Sequence, residues 1–249
     1  MTGPSIPLRT GFVDLHLHLL PGVDDGSKSL DESLEMARAL VSLGYTKAAP
    51  SPHHRAEYAS LSAALCADKL AEVQAALAAA GIPLELFPNA ENFFLEDTLM
   101  SSLGTPASRT LGSGKVLLVE APYQGPIPML GQLVFRMKLK VVTPLISHPE
   151  RCFEFEKKGR AAELVAAGAL LQLDMGALIG RYGKAAEKLA RQFLSDGLYA
   201  VAATDLHSPV NAKGWVGESL AALEKSVGAK GFRDLVESRP AALLSGVTE

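Results

Sequence analysis

Histidine is the residue type whose placement in this chain most clearly indicates chemistry. The sequence contains six, and each lies at or just beyond the carboxyl end of a predicted β-strand: His16, His18, His53, His54, His148 and His207. In a βα barrel these strand ends meet at one mouth, where active sites are built. Neutral imidazole is a common ligand for transition metals. The pattern therefore predicts a metal site assembled from distant parts of the chain.

Spacing strengthens this interpretation. His16 and His18 are two residues apart on a predicted strand, so both side chains project from the same face. Asp205 and His207 repeat that spacing at the end of the last predicted strand. Either pair taken alone could equally be ordinary core or surface residues. It is the joint placement of all the histidines that predicts a polynuclear site.

Carboxylates end other predicted strands and complete the candidate ligands. Glu120 ends an apolar run, where an ionised, unpaired carboxylate would cost several kcal/mol, so it requires a metal or an arginine. Glu91 could also be an ordinary loop residue, and Asp24 and Asp25 could form a turn. Histidine and carboxylate ligands without thiolate suit Mn, Fe or Zn equally. Two or three such ions about 3.5–4 Å apart typically hydrolyse phosphate esters, with a bridging hydroxide attacking phosphorus.

Three basic residues follow candidate ligands and could bind a phosphoryl group. Arg151 comes shortly after His148, Arg55 follows His54, and Lys213 lies beyond His207. The alternative for each is a solvated surface cation.

Alternating apolar runs and amphipathic segments predict the elements that would position these residues. Strands are predicted at 11–18, 45–50, 84–88, 116–121, 141–148, 169–175 and 199–204. Helices are predicted at 29–44 with a capping box at Ser29 and Glu32, at 60–80, 129–138, 154–167 and 185–195, and from 215 onward with breaks near Gly228 and Pro240. Seven strands, most of them followed by a helix, predict a parallel α/β fold and favour a barrel.

Composition excludes several classes of protein. The chain has 249 residues, is 48% hydrophobic and carries a net charge of −3 without a basic block, so nucleic acid is not an expected partner. No apolar run approaches the roughly 20 residues of a membrane span, so membrane insertion is not expected. Cys66 and Cys152 cannot form a disulfide framework, which favours a cytoplasmic protein. We predict a short tail at 1–10 and a single domain at 11–249.

The motifs that surround these residues resemble a known family. They are DLHLHLLPGVDDG at 14–26, SPHH at 51–54, AEN at 90–92, LVEAP at 118–122, ISHPER at 146–151 and TDLH at 204–207. In this order they resemble the PHP (polymerase and histidinol phosphatase) family, and more narrowly the bacterial manganese-dependent tyrosine phosphatases of capsular and exopolysaccharide operons. The resemblance covers residues 12 to 240 and implies a distorted (β/α)7 TIM-like barrel, the PHP fold.

The resemblance also implies a trinuclear site of divalent ions, with Mn expected and Fe or Zn as alternatives. The ligands it implies are His16, His18, Glu91 and Asp205 for the first ion; Glu91, Glu120 and His148 for the second; and Asp25, His53 and His207 for the third. Arg151 would clamp the phosphate, with Arg55, Lys213 and His54 as further candidates for substrate binding. Asp205 or His207 could assist as a general acid.

Three positions depart from the pattern of the related phosphatases or have no assigned role. Those enzymes carry an arginine five residues after the last histidine of the site, where this chain has Ala212 followed by Lys213. Asp174 replaces an Asn or Thr and could support a ligand or be purely structural. His54 could be a ligand, a substrate contact or neither.

The leading hypothesis is a protein tyrosine phosphatase that acts on a tyrosine kinase of polysaccharide export. One alternative is a phosphatase for histidinol phosphate or another small molecule, and a second is a metal-binding regulatory module without turnover. The cysteine-dependent route fails because no arginine lies six residues after either cysteine. An amidohydrolase is disfavoured because no lysine lies at a strand end to form a carbamate. The sequence leaves self-association open.

Overall fold

Strands and helices alternate along the chain, and the strands pair in parallel. The structure, a computed structural model, describes residues 10–248 except residue 59, residues 95–98, residue 106 and residue 128. Its strands are β1 Phe12–Leu17, β2 Tyr45–Pro50, β3 His53–His54, β4 Glu85–Leu86, β5 Glu91–Phe93, β6 Val116–Glu120, β7 Thr143–Ser147, β8 Leu170–Asp174 and β9 Tyr199–Ala203. Its helices are α1 Leu30–Ser42, α2 Ala63–Ala79, α3 Leu99–Ser102, α4 Leu130–Leu139, α5 Arg160–Ala166, α6 Gly183–Ser195, α7 Ala212–Arg233 and α8 Arg239–Leu244. The predicted tail at 1–10 lies outside the described residues except for Thr10, and its boundary stays a prediction.

The strands form two sheets that together resemble a barrel. One sheet has the order β1-β2-β4 and the other the order β3-β5-β6-β7-β8-β9. The end of β1 meets the segment after β9, where the His18 amide donates to the Leu206 carbonyl and the Asp205 amide donates to the His16 carbonyl, both at 2.9 Å. The predicted barrel-like α/β class is confirmed, although no continuous ladder of strand pairs among the described residues closes the ring.

Two of the seven strand positions each contain two strand segments. The predicted strand at 45–50 is confirmed as β2 and is followed after a break by β3, whereas the predicted strand at 84–88 is reduced to the two residues of β4, followed by β5. Prolines lie at both interruptions, at positions 52 and 88, and proline cannot donate to a ladder. The nine strand segments therefore occupy seven positions, and each interruption is followed by candidate ligands.

Predicted helix boundaries hold where a local cap defines them. The Ser29 hydroxyl accepts from the Glu32 amide at 3.3 Å and so begins α1. The Glu32 carboxylate accepts from the Lys28 amide at 2.8 Å, one residue earlier than in the usual capping box.

Two helix predictions are wrong at their boundaries. The helix expected from residue 154 begins only at Arg160, because the Glu154 carboxylate is bound by the Ile127 amide at 2.9 Å and by Arg160 Nε at 2.6 Å. Residues Phe153–Glu156 form a 3-10 turn instead. Pro240 lies in the first turn of α8, where its missing N–H costs no helical bond, so it does not break the helix. The predicted break at Gly228 is present, with φ at 72°.

Packing places the apolar faces of the helices against the sheets. The larger core cluster contains Met36 and Leu40 of α1 together with alternate residues of β6, Leu117 and Val119. The smaller cluster joins the other face of β6 to Leu243 of α8. Among the described residues no helix is both long and apolar enough to cross a membrane.

Candidate metal centre

All nine predicted metal ligands converge at the carboxyl ends of the strands. Groups whose ligand atoms all lie within 4.8 Å of one another are His16, His18 and Glu91; His16, His148 and Asp205; His53, Glu91 and Glu120; and His18, Asp25, His53 and His207. The groups overlap, so they form one continuous cluster. Residues up to 191 positions apart in sequence are thus brought together, because parallel strands direct their carboxyl ends to the same side.

The first part of the cluster is built on β1 and on the segment after β9. Nε2 of His16 lies 3.2 Å from Asp205 Oδ1 and 3.4 Å from Glu91 Oε1. Nε2 of His18 lies 3.4 Å from the same Asp205 oxygen. The two imidazoles therefore face the same carboxylates, as the two-residue spacing on β1 predicts.

Glu91 is the central residue of the cluster. One of its oxygens lies 3.0 Å from His148 Nε2 and 2.8 Å from the Ser147 hydroxyl, and the other lies 3.0 Å from His53 Nδ1. Contact with His16 as well makes Glu91 the carboxylate that joins the parts of the cluster. The structure groups His148 with His16 and Asp205 rather than with Glu120, which differs from the ligand set that the resemblance implies.

The most exposed part of the cluster contains Asp25 and His207. Asp25 Oδ1 lies 3.3 Å from His53 Nε2 and 3.6 Å from His207 Nε2. The His207 ring stacks on the His18 ring with centroids 3.9 Å apart. This part therefore opens to the mouth, whereas Glu91 is buried.

Polar neighbours orient the imidazoles toward the centre. His16 Nδ1 lies 2.9 Å from Gln172 Oε1, and His18 Nδ1 lies 2.8 Å from Asp24 Oδ2. When Nδ1 donates to an oxygen, the lone pair remains on Nε2, which is the nitrogen that faces the cluster. This is the arrangement that metal-binding histidines use.

Within the described part of the chain, Glu120 Oε1 is a buried atom without a hydrogen-bond partner. His53 Nδ1 and Asp205 Oδ1 are buried beside other atoms of the cluster, at 3.0 Å from Glu91 Oε2 and 3.2 Å from His16 Nε2, but form no regular hydrogen bond there. Buried polar atoms are normally satisfied, so Glu120 Oε1 above all leaves room for a further polar partner. Together with a donor set of imidazole and carboxylate, these atoms fit divalent cations.

The pKa shifts describe how the cluster balances its charges. Burial alone would raise the pKa of Glu91, but the surrounding His16, His148 and His53 hold that pKa well below its ordinary value. Burial would lower the pKa of His16, but Glu91 and Asp205 raise it to about 10. Burial and the nearby Glu91 raise the pKa of Glu120 to about 7. Protons on His16 and His53 thus compensate the carboxylates, and a bound cation would supply the compensating charge when those protons leave.

Two of the candidate ligands have a left-handed backbone. The φ angle is 32° at His148 and 52° at Asp205. Residues other than glycine rarely adopt this region, and such strain tends to occur at functional sites.

Arg151 lies beside the cluster and is held by carboxylates and aromatic rings. Its Nη1 donates to Asp205 Oδ2 at 2.6 Å and to Asp174 Oδ2 at 3.0 Å. Its guanidinium carbon lies 4.0 Å from the centroid of the Tyr182 ring and 4.9 Å from that of Tyr123. The role that the sequence left open for Asp174 is therefore to anchor Arg151.

The other candidates for phosphate binding differ in placement. Arg55 Nη1 lies 3.0 Å from Glu120 Oε2, so it faces the cluster. His54 Nδ1 lies 2.8 Å from Asn92 Oδ1, outside the ligand groups. Lys213 is exposed in the first turn of α7 and does not line the cleft beside Arg151. Arg181 lines this cleft together with Arg151.

Sequence reasoning did not identify several residues of the site. Asp24 contacts two candidate ligands, since it lies beside His18 Nδ1 and also accepts from the His53 amide at 3.1 Å. The position of Asp24 next to the candidate ligand Asp25 could have indicated this role. Gln172 shares a strand face with Asp174, which could have indicated it. No sequence pattern indicates Tyr123 or Arg181.

Gly26 permits the close approach of the Asp24 loop to β1. A Cβ there would lie 2.3 Å from both the Cβ and the carbonyl oxygen of His18. We expect Gly26→Ala to lower the free energy of unfolding by about 1–3 kcal/mol and to weaken Mn binding about 10–100-fold, because the loop carrying Asp25 must move. Thermal unfolding and Mn titration would measure both effects.

Gly131→Ala is the matched control for Gly26→Ala. Gly131 lies in α4, and a Cβ there would meet nothing within 4 Å. We expect this variant to keep both the unfolding temperature and the Mn affinity of the parent chain. Unaltered Mn binding in Gly26→Ala would contradict the role of the loop.

Known proteins are similar in sequence to this chain over most of its length. Residues 12–245 match a family model described as capsular polysaccharide synthesis, CpsB/CapC. The chain is 29% identical over 220 residues to the tyrosine-protein phosphatase YwqE of Bacillus subtilis (strain 168), covering 88% of this chain and 86% of that protein. It is 24% identical over 239 residues to the tyrosine-protein phosphatase CpsB of Streptococcus pneumoniae, covering 94% of this chain and 98% of that protein.

Solved structures agree with this comparison. A crystal structure from work on YwqE of B. subtilis and CpsB of S. pneumoniae, described as unique metal-dependent tyrosine phosphatases, superposes with a TM-score of 0.87 at 29% identity and covers 94% of this chain and 95% of that one. A dihydroorotase superposes with a TM-score of 0.58 at 15% identity, covering 96% of this chain and 73% of that one. At this identity it shares the fold alone. The resemblance drawn from the motifs is thereby confirmed.

Proposed function

The chain belongs to the CpsB/CapC family of capsular polysaccharide synthesis, and we propose that it is a metal-dependent phosphatase that hydrolyses phosphotyrosine on a protein substrate. The observation that carries this proposal is the buried cluster of histidines and carboxylates with an arginine at its open side. The relatives named as tyrosine-protein phosphatases support the same reaction class.

We propose that three divalent ions, with Mn as the expected metal and Fe or Zn as alternatives, occupy the cluster. The residues that would hold them are His16, His18, Asp25, His53, Glu91, Glu120, His148, Asp205 and His207. Ions bound there would supply a nucleophile from water at neutral pH and neutralise the charge of the phosphoryl oxygens. The buried Glu120 Oε1, which has no hydrogen-bond partner among the described residues, supports this assignment.

Arg151 would bind the phosphoryl group. Both of its carboxylate contacts use Nη1, which leaves Nη2 and Nε for phosphoryl oxygens. Asp174 and Asp205 fix the direction of the guanidinium before substrate arrives, so little rotamer freedom is lost on binding.

Aromatic rings around the cluster suit an aryl ester. The Tyr58 ring stacks on His53 and the Tyr123 ring stacks on His148, each with centroids 5.5 Å apart. Both tyrosines present an apolar face near the ligands, where the ring of a phosphotyrosine could pack. Phenolate is also a tolerable leaving group, so a dedicated general acid is not required.

Asp205 and His207 have different roles in this proposal. Burial would raise the pKa of Asp205, but His16 and His18 hold that pKa well below its ordinary value, so Asp205 remains ionised and is not a proton donor. Burial and His18 lower the pKa of His207, and its Nδ1 lies 2.8 Å from the Asp205 carbonyl oxygen, to which it donates. A neutral His207 is suited to ligation through Nε2.

We propose that the physiological substrate is a tyrosine kinase that controls polysaccharide export. Membership in a family of capsular polysaccharide synthesis supports this partner. Histidinol phosphate remains the alternative substrate, and a regulatory module without turnover is the alternative function.

Phosphate release by metal-stripped protein, with Mn, Fe or Zn titrated back, tests the proposal. We expect no release after chelation, restoration by Mn, and a kcat/KM for a phosphotyrosine peptide about tenfold or more above that for histidinol phosphate. Faster hydrolysis of histidinol phosphate would assign the small-molecule activity. Absence of release from both substrates with every metal would contradict a phosphatase.

A further inference from the structure

Beside the metal centre lies a cleft with a second arginine. The cleft has a volume of about 250 Å³, and Arg151, Arg181, His207, Ser208 and Trp215 are among the residues that line it. His207 belongs to the candidate ligands and Arg151 contacts Asp205, so the cleft begins at the metal cluster. Arg181 is therefore placed where the part of a substrate beyond its phosphate would lie.

The two arginines differ in electrostatic surroundings. Arg151 contacts two carboxylates, which neutralise much of its charge. Arg181 is exposed and forms no ion pair with any residue in the described ranges. Its charge is thus available to an anion that enters the cleft.

Arg181 is nevertheless ordered by its neighbours. Its guanidinium carbon lies 4.2 Å from the centroid of the Trp215 ring, and Trp215 itself is only 6% exposed in α7. The chain also packs closely against the stem of Arg181, because a Cβ at Gly176 would lie 3.0 Å from Arg181 Cδ. A cation stacked on a fixed indole keeps its N–H groups in a plane and free to meet a carboxylate.

We propose that Arg181, stacked on Trp215, is a specificity-determining residue that binds the carboxylate of an acidic residue flanking the phosphotyrosine of a peptide substrate. This inference rests on the proposed function and adds the substrate class. The same charge repels a substrate with a free ammonium group, such as histidinol phosphate. Arg181 thus favours an acidic peptide over a cationic small phosphoester.

Two phosphotyrosine peptides that differ only in their flanking residues test the inference. One carries Asp and Glu next to the phosphotyrosine, and the other carries Asn and Gln at the same positions. We expect the parent enzyme to prefer the acidic peptide about tenfold in kcat/KM, mainly through KM, and this preference to decline with salt.

The variant Arg181→Gln should lose that preference, so that the ratio of the two kcat/KM values approaches one. Arg136→Gln removes an exposed arginine of α4 and should retain the preference of the parent. An equal preference in Arg181→Gln and the parent, or no preference in the parent, would overturn the inference.

A binding measurement separates this inference from the proposed function. Trp215 is the single tryptophan of the chain, so its fluorescence reports on the cleft directly. The acidic peptide carrying a non-hydrolysable phosphonate in place of the phosphate would be titrated into Mn-loaded protein. We expect a change in Trp215 emission, with a dissociation constant about tenfold higher in Arg181→Gln.

Phosphate release and the Trp215 titration test the proposed function and the role of Arg181 separately. If no metal restores phosphate release but the titration still depends on Arg181, the proposed function fails and the anion-binding role of Arg181 stands. If phosphate is released but the titration is the same in Arg181→Gln and the parent, the inference alone fails.

Discussion

Replacement of Glu91 by glutamine is expected to reduce phosphate release by at least about 10³-fold, which corresponds to about 4 kcal/mol of lost transition-state stabilisation. Glu91 contacts His16, His53 and His148, so it joins the parts of the cluster. An amide can offer one neutral oxygen but cannot serve as a bridging anion. The expected loss therefore exceeds that of any substitution at the edge of the site.

The fold should survive the replacement of Glu91. In the metal-free protein, His16, His53 and His148 hold the pKa of Glu91 well below its ordinary value, so the Glu91 charge stabilises the fold at neutral pH and its removal lowers the unfolding temperature. We expect the metal-free variant to fold but to unfold below the temperature of the parent, because His16 and His53 lose their protons when their counter-charge is removed. Mn should raise the unfolding temperature of the parent by mass action but raise that of Glu91→Gln much less.

Glu85→Gln is the matched control for this experiment. Glu85 is an exposed residue of β4 whose carboxylate lies 3.8 Å from Lys47 Nζ, away from the cluster. The Glu85→Gln variant should keep both the phosphate release of the parent and its stabilisation by Mn. Near-normal phosphate release by Glu91→Gln would contradict the metal assignment.

Replacement of Arg151 by lysine is expected to lower kcat/KM by about 10²-fold, with most of the change in KM. Lysine retains the charge but has no planar guanidinium. It therefore cannot bind Asp174 and Asp205 and at the same time stack on the rings of Tyr123 and Tyr182, as Arg151 does. Competitive inhibition by inorganic phosphate should weaken in parallel, because phosphate would use the same N–H groups. Arg136→Lys on α4 provides the control with unchanged kinetics.

Measurement of Mn affinity distinguishes two roles for Arg151. If Arg151 binds the phosphoryl group, Arg151→Lys should weaken phosphate inhibition more than Mn binding. If its main effect is to position Asp205, Mn affinity should decline and inhibition by phosphate at saturating Mn should be unchanged. The second result would remove Arg151 from the phosphate site.

The candidate ligands could be predicted from the sequence because their positions follow from local chain geometry. The two-residue period of a strand places His16 and His18 on one face, and the ends of apolar runs locate Glu120 and His148. Parallel strands then bring those ends together whatever the details of packing. This is why every predicted ligand lies in the observed cluster.

Interrupted strands could not be predicted from periodicity alone. Residues 84–88 have the composition of a strand, yet only Glu85 and Leu86 pair with β2. The chain then forms β5, where Asn92 and Phe93 pair with β6. Where β4 ends and β5 begins depends on which neighbouring strand each segment can pair with. The distances between strands are set only when the two sheets assemble.

The sequence by itself determined the fold class, the candidate metal ligands and the family, because these depend on residue type and on spacing along one strand. Only the tertiary structure decided what Asp174 does, which groups hold Arg151, and that Arg181 rather than Lys213 lines the cleft. Long side chains reach partners many residues away, and their contacts depend on how helices and loops pack. For this reason the ligands follow from the local pattern, whereas the groups that would recognise the substrate follow from the packing.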